Sequence, residues 1–180
     1  LDELGIKPRM IAGTSIGSLI GAFYASGMSA SQIEEVAKSI NKRKIMALTD
    51  FSFSNKSIIK GKKVYDWLHQ YFGNKTFSDM YIPLRIVVTN LSTGNKEIIK
   101  KGRVIDAIMA SIAIPGIFSP VKKNGSLYVD GGVLDQVPYD SLKGAIVAID
   151  VTSKAKVPAD INAYETLMYS FYAIRKQLDN

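Results

Sequence analysis

The sequence predicts an α/β fold built on a mixed, largely parallel sheet covered by helices on both faces. Three observations carry this expectation. Short apolar runs such as Leu84-Arg85-Ile86-Val87-Val88-Thr89-Asn90 read as strands, and they alternate with segments of helical period. Glycines and prolines punctuate the changes between them. The 180 residues, 47% hydrophobic and 22% charged, suffice for a single domain with a substantial core and argue against disorder.

Taken in order, Leu1-Asp2-Glu3-Leu4 reads as the last turn of a helix stopped by Gly5. Met10-Ile11-Ala12 is a short strand that runs through Gly13-Thr14-Ser15-Ile16-Gly17 into a helix from Ser18 to about Ser26, apolar or small on nearly every face and therefore buried. Gly27 ends it, and Ser29 with Gln32 forms a capping box for an amphipathic helix reaching about Ile40. Residues 41–60 mix basic, aromatic and aliphatic positions without period and read as a loop or cap. Residues 62–72 form a helix with Val64, Trp67, Leu68 and Tyr71 on one stripe. Strand 84–90, a turn at Ser92-Thr93-Gly94-Asn95 and strand 97–99 make a hairpin. A helix from Val104 to Ile112 ends before Pro115 and Pro120. Ser126–Val129 is a strand that delivers Asp130-Gly131-Gly132, Ala145–Val151 is a further strand, and Asp160 caps a last helix. No linker or repeat divides the chain, so a single domain spanning 1–180 is expected.

The bulk properties narrow the partners. Net charge is +7, with basic clusters at Lys42-Arg43-Lys44, Lys60 with Lys62-Lys63, Lys100-Lys101 with Arg103, and Lys122-Lys123. These are either solvated loop ends or attraction to an anionic surface. No zinc-finger spacing, RNP-like motif or continuous basic helix points to nucleic acid, so a membrane surface is the better partner. Cysteine is absent, which removes disulfides, thiolate metal sites and a cysteine nucleophile. No apolar run approaches the ~18 residues of a spanning helix. A cytoplasmic or peripheral-membrane location fits these features.

The chemistry centres on Ser15. A strand-turn-helix with serine at its apex and Gly13 and Gly17 on either side matches the nucleophile-elbow pattern, in which side chains at the two glycines would clash. The serine hydroxyl would stand beside a helix N-terminus, where free N–H groups suit a developing oxyanion. The alternative is an ordinary glycine-rich β-α turn. A serine needs a base, yet the only histidine, His69, points away from the apolar stripe of its helix and no histidine follows any candidate aspartate. Asp130 stands at a strand end, and Gly131 and Gly132 let its backbone turn sharply enough for the carboxylate to reach a serine directly. Asp130-Gly131-Gly132 as a simple turn remains the competing reading at this point.

Together these residues resemble the patatin-like phospholipases, serine lipid acyl hydrolases, most closely the small bacterial members. Gly13-Thr14-Ser15-Ile16-Gly17 is similar to the family's elbow and Asp130-Gly131-Gly132 to its catalytic Asp-Gly-Gly/Ala. Val88–Gly94 resembles a hairpin of the family, and Ser111-Ile112-Ala113-Ile114-Pro115-Gly116-Ile117-Phe118 its Ser-x-Ala-x-Pro-x-x-Phe segment. The resemblance implies a three-layer α/β/α fold with a mixed, mostly parallel central sheet. It implies a Ser15–Asp130 dyad without histidine or metal, an oxyanion N–H from Ile16, and acyl esters of lipids as substrates, with no cofactor. The family also carries a glycine-rich oxyanion loop after its first strand. Leu1–Ala12 holds only Gly5, so the strand and loop are expected to be absent from this chain, which as given is expected to be weakly active or inactive. The other function class compatible with the sequence is a non-catalytic lipid-binding or scaffold module that keeps the fold.

Overall fold

A central strand with both edges occupied organises the protein. The computed structural model describes residues 2–40 and 59–151, with positions 160, 166, 169, 170, 173 and 174. Strand β2 (Leu84–Asn90) is nearly continuous apolar sequence because both of its faces are covered. On one edge it pairs antiparallel with β3 (Asn95–Ile99), from Ile86↔Ile99 to Asn90↔Asn95. The other edge is shared by two strands. β1 (Ile11–Thr14) runs parallel along Leu84–Val87, while β5 (Ser126–Asp130) runs antiparallel along Val88–Asn90. β4 (Val121–Lys123) then adds antiparallel to β5. The sheet is mixed and flanked by helices, as expected, and among the described residues it has one parallel pairing and three antiparallel ones.

Period-two alternation sorts the faces of β2. Leu84, Ile86 and Val88 enter a core shared with the helices. These are α1 (Ile16–Ala25), α2 (Ala30–Ser39), α3 (Lys62–Phe72) and α4 (Val104–Ser111). Helix α1 is apolar around most of its circumference and buries Leu19, Ala22, Phe23 and Ala25, but the full burial expected from its sequence is not met, because Ile16 and Ile20 lie on a side that no described element covers and stay exposed. Helix α2 starts with the expected capping box, Ser29 Oγ accepting from Gln32 N–H (3.3 Å) and Gln32 Oε1 from Ser29 N–H (2.8 Å). Phe23 of α1 is the hub of the helix layer. It stacks on Phe72 (5.1 Å) and meets Tyr71 and Trp67 edge-on (5.1 and 6.3 Å). His69 lies on the exposed side of α3, stacked on Tyr65.

The opposite face of β2 carries Arg85, Val87 and Thr89, and the chain beyond Asp130 folds back towards it. The Arg85 guanidinium donates to the Ser141 carbonyl. Lys96 of β3 bridges Asp135 (2.9 Å) and Asp140 (2.6 Å).

Two expectations need correction. Residues 145–151 form no strand: Val147, Ile149 and Val151 are 66–70% exposed, and no described residue offers this segment a ladder of backbone partners, without which apolar β-branched sequence does not make a strand. Conversely, β4 was not anticipated. It exists because Asn124 and Gly125 both take positive φ (50° and 81°), the geometry of a tight hairpin turn. The irregular stretch expected at 41–60 lies almost wholly outside the described residues. The chain divides into two units, Leu1–Val147 and Ala148–Asn180. In the second, positions 166, 169, 170, 173 and 174 are helical, and Ser170 Oγ donates to the Thr166 carbonyl (2.7 Å). The rest of the helix expected after Asp160 lies outside the described residues.

Replacing Phe23 by Ala is expected to cost about 3–5 kcal/mol, the usual penalty for emptying a buried aromatic site. His69→Ala is expected to stay within about 0.5 kcal/mol. Urea unfolding of the two variants measures the contrast.

Candidate active site

Because β1 and β5 run toward each other along the same edge of β2, their C-terminal ends meet. Thr14 pairs with Val87 and Asp130 with Val88, the next residue of β2. Ser15, one residue past β1, is thereby brought to Asp130, 115 residues away in sequence. Ser15 Oγ donates to Asp130 Oδ2 at 2.5 Å, a length typical of a hydroxyl bonded to a carboxylate.

Ser15 holds φ 52° and ψ −126°, a left-handed conformation costly for a residue with a side chain. Local contacts hold it there. Ser18 N–H and Ser18 Oγ both donate to the Ser15 carbonyl (2.9 and 2.6 Å). The Ser15 N–H donates to Ser111 Oγ (2.9 Å), and Ser111 Oγ donates onward to the Val87 carbonyl (2.7 Å). Ile16 opens α1, so its N–H has no acceptor within the helix and lies next to the serine.

The two elbow glycines differ. A Cβ on Gly13 would stand 2.4 Å from the Gly17 carbonyl oxygen, so Gly13 is obligatory. A Cβ on Gly17 would meet nothing within 4 Å, which corrects the expected clash. The close approach is one-sided: the first turn of α1 lays its backbone over Gly13, while the Cβ direction at Gly17 leads into open space.

Asp130 is 5% exposed. Its Oδ1 accepts from Gly132 N–H (2.7 Å), and its own N–H donates to the Ala113 carbonyl (3.0 Å). Burial pushes its carboxyl above the usual range, partly offset by the bonds from Ser15 and Gly132. Gly131 is required by proximity, since a Cβ there would stand 2.4 Å from the Val87 oxygen. Both expected partners are therefore together, with Gly13, Ile16 and Gly131 around them. The residues missed from sequence are Ser111 and Ala113, which grip the backbones of Ser15 and Asp130. Their only signal was the Ser-x-Ala-x-Pro segment, to which no role had been attached.

A family model described as patatin-like phospholipase matches residues 1–143. The chain belongs to the patatin-like phospholipase family. An uncharacterized NTE family protein of Mycobacterium tuberculosis is 33% identical over 163 residues, covering 88% of this chain and 45% of the relative. Patatin-like phospholipase domain-containing protein 6 of Homo sapiens is 28% identical, covering 99% of this chain and 14% of that protein. Lysophospholipase NTE1 of Candida albicans is 31% identical, covering 85% and 12% respectively. The chain thus spans less than half the length of these relatives. In this patatin-like domain no described helix is long and apolar enough to cross a membrane.

Three of the four basic clusters lie within the described residues. Lys60 and Lys62 of one cluster and Lys122 and Lys123 of another, distant in sequence, line one groove of about 470 Å³ over Tyr65, Met109 and Val121, with Asp106 as its one carboxylate among the described residues. The bridge between Ile59 and Phe118 brings these segments together. Gly102, between Lys101 and Arg103, lies close to Lys123 Nζ.

Gly13→Ala is expected to abolish soluble expression or lower the melting temperature by more than ten degrees or so, since the clash is with backbone. Gly17→Ala, on a helical position with free space, is expected to melt at or slightly above the wild-type temperature. Calorimetry of the pair measures the asymmetry.

Proposed function

We propose that this chain carries the catalytic dyad of a serine lipid acyl hydrolase, of phospholipase A, lysophospholipase or esterase type. The observation that carries this reading is the 2.5 Å bond between Ser15 Oγ and a buried carboxylate, on an elbow whose backbone is strained. Asp130 takes the hydroxyl proton as Ser15 Oγ attacks the acyl carbonyl carbon. The resulting oxyanion accepts a hydrogen bond from Ile16 N–H. As the intermediate collapses, the ester C–O bond breaks and Asp130 returns the proton to the departing alcohol. Asp130 then deprotonates a water, which attacks the acyl-serine. The fatty acid leaves and Ser15 recovers its proton.

Burial suits Asp130 to this work. An ordinary aspartate, with a pKa of ~3.9, is a feeble base, and desolvation strengthens it. Ile16 and Ile20, 49% and 46% exposed, form an apolar ridge one helical turn long beside the serine, suited to an acyl chain. The fungal relative, a lysophospholipase, and the mammalian one, a patatin-like phospholipase domain-containing protein, point to the same substrate class. The Lys60–Lys122–Lys123 groove is proposed to face anionic headgroups, each cation adding about 1 kcal/mol near such a surface.

Labelling by a fluorophosphonate tests the dyad. Wild type is expected to label at Ser15, while Ser15→Ala and Asp130→Asn are expected to lose at least about 10³-fold in rate. Asp130→Asn should melt no lower than wild type, because the buried carboxylate is disfavoured in its charged form. Wild-type labelling should fall on acidification at a pH above the normal aspartate range, because the carboxylate must be ionised and burial raises its pKa. Unlabelled wild-type protein that is folded would leave the scaffold reading in place.

Flotation with phosphatidylserine vesicles tests the surface. Reversing Lys60, Lys122 and Lys123 to Glu is expected to weaken binding by more than about tenfold in low salt. Turnover of a water-soluble ester should not change.

A further inference from the structure

We infer that Ser111 is a positioning residue, whose hydroxyl, spliced into the β1–β2 ladder, sets the distance between Ser15 and Asp130. The inference rests on the dyad proposed above and concerns what holds it in register.

The parallel ladder shows where Ser111 intrudes. Ile11 N–H donates to the Pro83 carbonyl (2.9 Å), and parallel strands repeat such bonds every second residue. Continued to the end of β1, that rhythm would bond Ser15 N–H directly to the Val87 carbonyl. Instead Ser111 Oγ stands between them, accepting from the amide at 2.9 Å and donating to the carbonyl at 2.7 Å. The amide is held one hydroxyl's width away from β2, at the residue where the chain leaves the strand and turns with positive φ. The ladder is widened where the elbow needs room.

The same short segment holds the other partner. Two residues beyond Ser111, the Ala113 carbonyl accepts the Asp130 N–H at 3.0 Å. One stretch at the C-terminal end of α4 therefore fixes the backbone of both residues whose side chains meet. Gly131 crowds the same Val87 oxygen that Ser111 binds, so a shift at this carbonyl reaches both sides of the pair. Ser111 has no surface exposure and does not touch the Asp130 carboxylate. It acts through Ser15.

Without the hydroxyl, the Ser15 N–H either closes onto the Val87 carbonyl or loses its partner. In both cases Ser15 Oγ leaves its place against Asp130. A misplacement near 1 Å at a reacting atom costs about 10²-fold in rate. There is also a titration signature. The bond from Ser15 lowers the pKa of Asp130 against the effect of burial, so weakening it lets that pKa rise. The groups facing this carboxyl are the Ser15 hydroxyl and Gly132 N–H. The other ionisable side chain in its row of the sheet, Glu97 of β3, is engaged by Asn90 and Tyr128.

The test compares wild type, Ser111→Ala and Ser111→Thr in the full-length protein, using a soluble acyl ester and fluorophosphonate labelling across pH. For Ser111→Ala we expect kcat and labelling rate to fall about 10- to 100-fold. KM should stay within about twofold, and the acid limb of the labelling profile should move to higher pH. Ser111→Thr, which keeps the hydroxyl, should recover most of the rate and the wild-type limb. If the threonine methyl unfolds the protein, Ser111→Cys, a weaker and longer partner, should fall between wild type and alanine. Folded Ser111→Ala with wild-type kcat, or with reduced rate but an unmoved acid limb, overturns the inference while leaving the dyad standing. Wild-type protein that does not label at Ser15 overturns both.

Discussion

Everything at the site depends on two strands sharing one edge of β2. β1 arrives from one end and β5 from the other, and they stop at Val87 and Val88. A parallel and an antiparallel neighbour on the same edge is an unusual economy of sheet space. Its effect is to aim two chain ends at one point between fixed backbone ladders. Functional side chains are normally presented by loops held on a scaffold. Here the strand ends themselves do the positioning, and only tight turns remain to be arranged: the serine elbow and the Asp130-Gly131-Gly132 corner.

Those turns carry the costs. Ser15 occupies a backbone conformation worth about 1–3 kcal/mol of strain, and Asp130 buries a carboxylate. Because burial raises the folded pKa of Asp130 above the ordinary aspartate value, the fold is favoured by protonation of this group. That contribution is present in acid and is lost as pH rises through the folded pKa. The ionised form, the one proposed to take a proton from Ser15, is therefore the less stable one. The helix layer around Phe23 and the ion pairs of Lys96 with Asp135 and Asp140 offset this, the latter tying the chain just beyond the corner to β3 on the far edge of β2.

Much of this was legible in the residues. The Ser29–Gln32 box, the stripe of α3, the outward His69 and the strand Leu84–Asn90 follow from local rules, because each is decided by neighbours within a few residues. Ser15 and Asp130 stood out because glycines flank them and because no histidine competed. The failures share a cause: each depended on what a distant segment supplies. An apolar run at 145–151 reads as strand, yet a strand needs another backbone beside it. Gly17 looks equivalent to Gly13 in the motif, but only the fold shows that the crowding falls on one of them. Lys122-Lys123 looks like a solvated charge cluster, and only the pairing with β5 across the Asn124-Gly125 turn makes it a strand. Ser111 was visible only as a member of a pattern. A helix-terminal serine gives no hint that its hydroxyl will stand in for a missing rung of a ladder formed almost a hundred residues earlier in the chain.

The sequence separation of 115 between Ser15 and Asp130 also bears on how the molecule comes into being. During synthesis Ser15 leaves the ribosome ahead of Asp130, its proposed base, which follows only after β2, β3, α4 and β4 have been made. Contacts of such long sequence separation form late, because the intervening loop must be closed before they are rewarded. A nascent or broken chain that stops short of β5 has Ser15 but not the carboxylate proposed to activate it. For the proposed lipid hydrolase, the order of the chain would act as a safety catch, released only when the sheet is complete.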